Sequence, residues 1–166
     1  MRQILFLLFF VSASVQCATS WQGKVTHVTD GDTLWVQPSN RNRDGIPARK
    51  IRIEGIDAPE ICQQYGLESK QALQQLILLQ NVTVITRRID DYGRDVAKIT
   101  FETRDVGTWM VFQGHAWSYH YRHSAGPYAK PEREAQSAKR GLFATSSPTE
   151  PRIFRREHGS CHTPRN

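Results

Sequence analysis

The sequence predicts a single α+β domain built from five short β-strands and three helices. Segments rich in β-branched residues, separated by Asp-Gly and Gly turns, indicate the strands, and apolar residues at helical spacing indicate the helices. The length of 166 residues and the apolar share of 39% are typical of one globular domain. The sequence contains neither an internal repeat nor a low-complexity tract, so repeat, fibrous and disordered proteins are excluded.

The strands are predicted from local alternation of apolar and polar residues. Ile51 and Ile53 alternate with charged side chains, which directs the isoleucines inward and Arg52 to the opposite face. The turns Asp-Gly-Asp and Asp-Tyr-Gly each separate two β-rich segments. We expect strands at 24–28, 33–36, 49–54, 82–88 and 94–101.

Three helices follow from periodicity and from residues that begin or end helices. In residues 66–79, Leu73 and Ile77 lie on one face. A short second helix ends at Gly114. Pro131 begins a third helix, in which acidic residues precede basic ones as the helix dipole favours. The aromatic residues 115–121 are expected to be extended.

The first 18 residues have the pattern of a secretory signal peptide. Arg2 precedes an unbroken apolar run at 4–11, and small residues follow. A membrane-spanning helix needs about 20 apolar residues, so we expect no stable membrane insertion. The cleavage site stays open, and Cys17 leaves lipidation as an alternative. We expect a secreted or periplasmic protein.

The predicted domain covers residues 19–143, and residues 144–166 are interpreted as a basic C-terminal tail. The tail is rich in Ser, Thr, Pro and Arg, with no periodicity that would bury a face. After removal of the signal peptide, Cys62 and Cys161 remain, and such a pair in an exported chain predicts a disulfide. Two free thiols or an intermolecular bond are the alternatives.

The chain is basic, with 22 Lys and Arg against 16 Asp and Glu and a formal charge of +6. This balance argues against acidic, calcium-buffer-like proteins and favours an anionic partner. Charge alone does not identify that partner, because many proteins carry a solvated basic surface.

Acidic residues nevertheless gather at two turns that follow strands. Asp30 and Asp32 lie in DGDT, and Asp57 and Glu60 lie in DAPE. Carboxylate oxygens are ligands that calcium and magnesium prefer. Neither turn matches an EF-hand loop, and a single Asp-Gly turn is usually only a turn.

Two arginines are expected beside these acids. Arg52 precedes Asp57 by five residues, and Arg94 directly follows a turn. Carboxylates for a divalent cation, a carboxylate that handles water and two guanidinium groups together suit attack on a phosphodiester. Taken singly, each arginine could instead pair with Glu54 or Asp95 on a strand, and Glu60 could cap a helix.

Six motifs follow one another along the chain: DGDT, KIRIEGIDAPE, QYG, DDYGRDVAKI, GHAWSYHY and EREAQSAKRGLF. In their order and spacing the sequence resembles the staphylococcal nuclease family over about residues 21–143. The resemblance implies a five-stranded OB-fold β-barrel with three α-helices. It also implies a calcium-dependent phosphodiesterase that cuts DNA and RNA with little sequence preference.

The resemblance further implies how calcium is held. Asp32 and Asp57 would supply carboxylate ligands, and Ala58 would supply its backbone carbonyl. Asp30 would support the metal site without being a ligand. Ala58 stands where the best-known family member has threonine, so a hydroxyl is lost while the carbonyl is kept.

The same resemblance assigns catalytic roles to three residues. Glu60 would orient or deprotonate the attacking water, and Arg52 and Arg94 would hold the scissile phosphate. Departure of the 5′ oxygen would leave 3′-phosphate and 5′-hydroxyl ends. Asp91 replaces a lysine of the best-known member, so one cation facing the phosphate is lost.

Three tyrosines resemble the residues that pack against nucleotides in this family: Tyr92, Tyr119 and Tyr121. Aromatic faces stack on bases without reading their sequence. Alternatively, Tyr119 and Tyr121 belong to the core or rim of the barrel, with His120 a rival for their position.

The leading hypothesis is therefore an exported, monomeric endonuclease that acts on DNA and RNA with Ca²⁺. The alternatives are a noncatalytic OB-type nucleic-acid-binding module and a DNA-transfer accessory protein.

Overall fold

The fold is taken from a computed structural model, which describes residues 19–39, 45–121 and 123–161. The predicted signal peptide at 1–18 lies outside these residues, as does the end of the chain at 162–166. The strands are β1 (Thr19–Val28), β2 (Thr33–Pro38), β3 (Arg49–Ile53), β4 (Ile56–Asp57), β5 (Asn81–Ile89), β6 (Asp95–Phe101), β7 (Arg104–Asp105) and β8 (Trp117–Ser118). The helices are α1 (Gly66–Ile77), α2 (Val106–Phe112), α3 (Ala129–Ser137), a 3₁₀ helix (Gly141–Ala144) and α4 (Pro151–His158).

Five strands form a closed barrel. Strand β1 pairs antiparallel with β2 and β5, β2 pairs with β3, and β5 pairs with β6. The parallel pairing of β3 with β6, which sets Arg52 opposite Val96, closes the ring. This barrel confirms the predicted α+β class and the OB-type five-stranded architecture, with a fourth α-helix added to the three expected.

The barrel interior is filled by the apolar positions of the alternating strands. Ile51 and Ile53 of β3 are buried, as predicted, while Arg52 lies on the other face of the strand. Helix α1 packs Leu73 and Ile77 onto this core, and α2 adds a further apolar face. The burial of its two neighbours thus fixes the side of β3 on which Arg52, a predicted site residue, lies.

The ends of the helices follow the expected signals with small differences. Helix α1 stops two residues before the predicted end at 79. Asp105 caps α2, because its carboxylate accepts a hydrogen bond from the Thr108 N–H at 2.6 Å. Pro131 lies in the first turn of α3, but Lys139 falls beyond the end of that helix.

A second sheet of two short strands lies beside the barrel. It pairs Asp57 of β4 with Trp117 of β8. Of the aromatic segment 115–121, which was expected to be extended, only residues 117–118 form a strand. This ladder fixes the backbone that carries Asp57.

The structure of residues 145–161 differs from the prediction of a tail with no buried face. It contains α4, which begins at the buried Pro151. The predicted disulfide between Cys62 and Cys161 is present, with a Cα–Cα distance of 5.9 Å. Contacts with distant residues hold this helix, so local periodicity did not reveal it. Within the described ranges, no helix has the length and apolar character needed to cross a membrane.

Candidate active site

Most of the predicted site residues line one open groove of about 1480 Å³. It runs across β3, the turn before β6 and the segment after β8. Asp57 is buried beside the groove and contacts two arginines that line it. The residues singled out in the sequence that line the groove are Asp30, Asp32, Arg52, Ala58, Glu60, Tyr92, Arg94, Tyr119, Tyr121 and Cys161.

The DGDT turn holds the Asp32 carboxylate inside this site. Asp32 Oδ2 accepts the Ala58 N–H at 2.9 Å, and Oδ1 accepts the Thr33 hydroxyl at 3.0 Å. Asp30 Oδ1 in turn accepts the Asp32 N–H at 3.0 Å. A Cβ at Gly31 would overlap the Ser69 hydroxyl and the Ala58 side chain, so this close turn requires glycine.

Burial and ion pairing act in opposite directions on these two carboxyl groups. Burial raises the pKa of Asp30 to about 7, and the charge of Asp32 adds to the rise. Burial would also raise the pKa of Asp32, but the Arg52 charge and hydrogen bonds from Arg52 and Ala58 lower it overall. Asp32 therefore ionises at lower pH than Asp30.

Arg52 connects the two acidic turns. Its guanidinium forms an ion pair with Asp32, and Nη2 donates to Asp57 Oδ1 at 3.0 Å. Burial alone would lower the pKa of Arg52, but the two carboxylates raise it. The alternative pairings of Arg52 do not occur, because Glu54 pairs with Arg87 and Asp95 pairs with Arg49.

The structure adds a residue that the sequence analysis missed. Arg155 of α4 donates from Nη1 to Glu60 Oε1 at 2.8 Å and from Nη2 to Asp57 Oδ2 at 3.1 Å. Glu60 does not cap α1, whose N-cap residue Tyr65 makes no side-chain cap hydrogen bond. The available signal was Pro151 at the first turn of α4, with basic residues in the last turn.

Arg94 reaches the same groove from another direction. Its Nε donates to Asp90 Oδ2 at 2.8 Å, and its guanidinium lies 5.3 Å from the centroid of the Tyr92 ring. The Asp90 carboxylate also accepts the backbone N–H groups of Tyr92 and Arg94. The turn therefore presents an arginine and an aromatic face together.

Tyr92, Tyr119 and Tyr121 are exposed and line the groove, so Tyr119 and Tyr121 are not core residues. Their position agrees with the other half of the predicted core-or-rim alternative, a place on the rim. His120, their rival, points elsewhere, because its Nε2 lies 3.0 Å from Glu132 Oε2. The structure thus offers two tyrosines from the segment after β8 and one from the turn before β6.

The donor chemistry of the acidic cluster fits a hard divalent cation. Within the described residues, no group of three or more acidic, His or Cys side chains already converges as a metal site. The carboxylates of this cluster contact arginines instead. Four carboxylates face two guanidinium groups, so negative charge exceeds positive charge when all are ionised. These groups belong to Asp30, Asp32, Asp57, Glu60, Arg52 and Arg155.

Comparison with known proteins identifies the family. The profile described as "Staphylococcal nuclease homologue" matches residues 50–145. A protein of Escherichia coli named "Uncharacterized endonuclease" is 34% identical over 155 residues, which cover 93% of this chain and 97% of the relative. The "Micrococcal nuclease" of Shigella flexneri is 31% identical over 160 residues, covering 86% of this chain and 85% of the relative.

A plant relative matches only in part. A "Probable staphylococcal-like nuclease" of Oryza sativa subsp. japonica is 39% identical over 116 residues, or 69% of this chain. This chain spans only 31% of the length of that relative. The profile match, the bacterial relatives and the barrel agree: the chain belongs to the staphylococcal nuclease family.

Proposed function

We propose that this protein is an exported, calcium-dependent endonuclease that hydrolyses phosphodiester bonds of DNA and RNA with little sequence specificity. The observation that carries the proposal is the direct contact of Arg52 with Asp32 and Asp57, in a groove that also contains Glu60 and Arg94. Fixed cations, ionised carboxylates and a carboxylate near solvent are the groups that this hydrolysis requires.

The groove suits a nucleic acid strand because it combines positive charge with aromatic faces. Lys50, Arg87, Arg88 and Lys98 line it together with the three tyrosines. Basic side chains attract phosphates regardless of sequence, and tyrosine rings stack on any base. Binding with little sequence preference follows from these two interactions.

Arg52 and Arg94 are proposed to bind the scissile phosphate. A guanidinium presents parallel N–H donors that match two phosphoryl oxygens. Both side chains are already held by carboxylates, Arg52 by Asp32 and Asp57 and Arg94 by Asp90. Such preorganised cations stabilise the negative charge that grows on the phosphoryl oxygens.

Asp32, Asp57 and the Ala58 carbonyl would hold the calcium ion. When bound, calcium supplies Lewis-acid polarisation of a phosphoryl oxygen. Asp30 supports these ligands through its hydrogen bond with the Asp32 N–H. Their burial in the site keeps competing water away from the carboxylates.

Glu60 is proposed to orient the attacking water and to receive its proton. The water oxygen bonds to phosphorus while the bond to the 5′ oxygen breaks, and that oxygen takes up a proton. The products are a 3′-phosphate and a 5′-hydroxyl. Glu60 is more exposed than Asp57 and lines the groove, which gives it access to water.

The test is degradation of plasmid DNA and of RNA by the mature protein with calcium, with magnesium and with a chelator. We expect calcium-dependent cutting with 3′-phosphate ends. Glu60→Gln should lower turnover about 10²-fold or more. Glu68→Gln, at an exposed position of α1, is the matched control and should cut like the wild type.

Equal activity of Glu60→Gln and the wild type would contradict the proposed mechanism. Binding without cutting under every metal condition would instead indicate the noncatalytic OB-type nucleic-acid-binding module.

A further inference from the structure

Glu60 lies in a segment without regular secondary structure, between β4 and α1. Its backbone is fixed, because the Glu60 N–H donates to Gln63 Oε1 at 3.1 Å. Its carboxylate is fixed separately, by the hydrogen bond from Arg155 Nη1 at 2.8 Å. A glutamate has three rotatable side-chain bonds, so this second contact decides where the carboxylate lies.

Arg155 joins Glu60 to Asp57. While Nη1 contacts Glu60, Nη2 donates to Asp57 Oδ2 at 3.1 Å, and both nitrogens lie 3.3 Å from Asp57 Oδ1. A planar guanidinium that contacts two carboxylates sets the distance and angle between them. The three side chains are partly or fully buried, so water screens their charges only in part.

Helix α4 is attached at both ends to the segment that carries Glu60. Before the helix, Gln63 Nε2 donates to the Thr149 carbonyl at 2.6 Å. After the helix, Cys161 forms the disulfide with Cys62, whose N–H also donates to Cys161 Sγ at 3.2 Å. Because both attachments lie within three residues of Glu60, Arg155 and Glu60 keep their relative position.

We propose that Arg155 is a positioning residue, which holds the Glu60 carboxylate in the orientation that receives the proton of the attacking water. The inference rests on the proposed function. Without the guanidinium, the Glu60 side chain samples other rotamers, and the fraction of enzyme with a correctly placed base falls. The helix α4 and its disulfide are then part of the active site, although they are far from it in sequence.

The test compares Arg155→Ala and Arg155→Lys with Arg156→Ala, whose side chain is exposed on the same helix. The substrate is single-stranded DNA at saturating calcium. We expect Arg155→Ala to lower kcat about 100-fold and to leave KM nearly unchanged. Arg155→Lys should recover part of the loss, and Arg156→Ala should match the wild type.

Two further measurements separate positioning from a structural role. Added guanidinium ion, at a concentration that does not alter the melting curve, should raise kcat of Arg155→Ala more than methylammonium does, because only the planar guanidinium contacts both carboxylates. In a Glu60→Gln background, Arg155→Ala should lower kcat no further, because the two residues act as one unit.

Several results would overturn the inference. They are wild-type kcat in Arg155→Ala, a further loss in the Glu60→Gln background, and absence of guanidinium rescue in a folded variant. Calorimetry with calcium alone adds a readout besides activity, since tighter calcium binding with undiminished kcat would make Arg155 a competitor of the cation. Failure of the wild type to cut any substrate would overturn the proposed function as well, so the two failures are distinguishable.

Discussion

Replacement of Arg52 by methionine is predicted to destabilise the metal-free protein strongly. The Arg52 side chain is only 17% exposed, and the carboxylates of Asp32 and Asp57 that it contacts are 5% and 7% exposed. Methionine keeps an unbranched apolar side chain but removes the charge. The variant would therefore leave two buried carboxylates without their shared cation.

The size of the effect follows from this burial. Removal of one partner of a buried pair costs about 3 to 5 kcal/mol. Arg155 still contacts Asp57, so we expect the lower value, about 3 kcal/mol. For a protein of this size, that loss lowers Tm by about 6 to 12 °C.

The loss of stability in Arg52→Met should become smaller as the pH falls. In the wild type, burial would raise the pKa of Asp32 but Arg52 holds it low, so its contribution persists until the pH falls through the acid range. Burial already raises the pKa of Asp57 in the wild type. In the variant, burial acts without Arg52, so the pKa of Asp32 rises above its unfolded value and the pKa of Asp57 rises further. The variant then gains stability relative to the wild type as the pH falls from 7 to 5.

The assay is urea and thermal unfolding at pH 7 and pH 5 with a chelator present. Arg87→Met is the matched control, because Arg87 and its partner Glu54 are 49% and 42% exposed and lie 3.6 Å apart. Such an exposed pair contributes at most about 1 kcal/mol. The reasoning is refuted if Arg52→Met costs no more than this control at pH 7, or if the gap from the wild type widens at pH 5.

Three other variants test separate parts of the structure. Serine at both Cys62 and Cys161 should lower the free energy of unfolding by about 4 to 5 kcal/mol on the chain-entropy model, because the disulfide spans 99 residues. Urea unfolding measures this loss, and a loss under about 1 kcal/mol would contradict the prediction. Asp105→Ala should lower the free energy of unfolding by about 1 to 2 kcal/mol, because it removes the cap of α2, whereas Asp105→Asn should retain most of the stability. Equal losses of stability in the two variants would argue against capping. Tyr92→Ala should weaken binding of single-stranded DNA by about 1 to 3 kcal/mol without changing Tm, because the Tyr92 ring is exposed on the rim of the groove. If fluorescence titration of the variant gives the wild-type Kd, a base does not stack on Tyr92.

Much of the barrel could be predicted from local patterns. Ile51 and Ile53 alternate with polar residues, and burial of one face of a strand leaves Arg52 a single possible side. The Asp-Gly turn before β2 was also predictable, because Asp-Gly dipeptides mark turns between β-rich segments. The close approach of Gly31 to Ser69 became visible only in the structure. The parallel pairing of β3 with β6 was different, since no local pattern specifies a partner strand, and only the family resemblance implied it.

The contribution of α4 to the site could not be predicted from periodicity. This helix has few apolar residues, and its contacts with the site run through Arg155, which lies 98 residues from Asp57. Charged contacts between distant segments leave no repeating pattern in a sequence. The start of the helix was readable at Pro151, but its place against the barrel depends on the disulfide and on Gln63.

Closure of the barrel has a consequence for self-association. Each of its five strands has a hydrogen-bonded neighbour on both sides, so the ring offers no free edge to a second chain, although β5 contains the β-branched run 82–85. The pairing of β3 with β6 spans three residue pairs, fewer than the other pairings of the ring. Intermolecular strand addition would begin where this short seam opens, and amide hydrogen exchange along β3 would report that opening. Because Arg52 lies in the seam, displacement of this proposed phosphate-binding side chain and the onset of aggregation would share a first step.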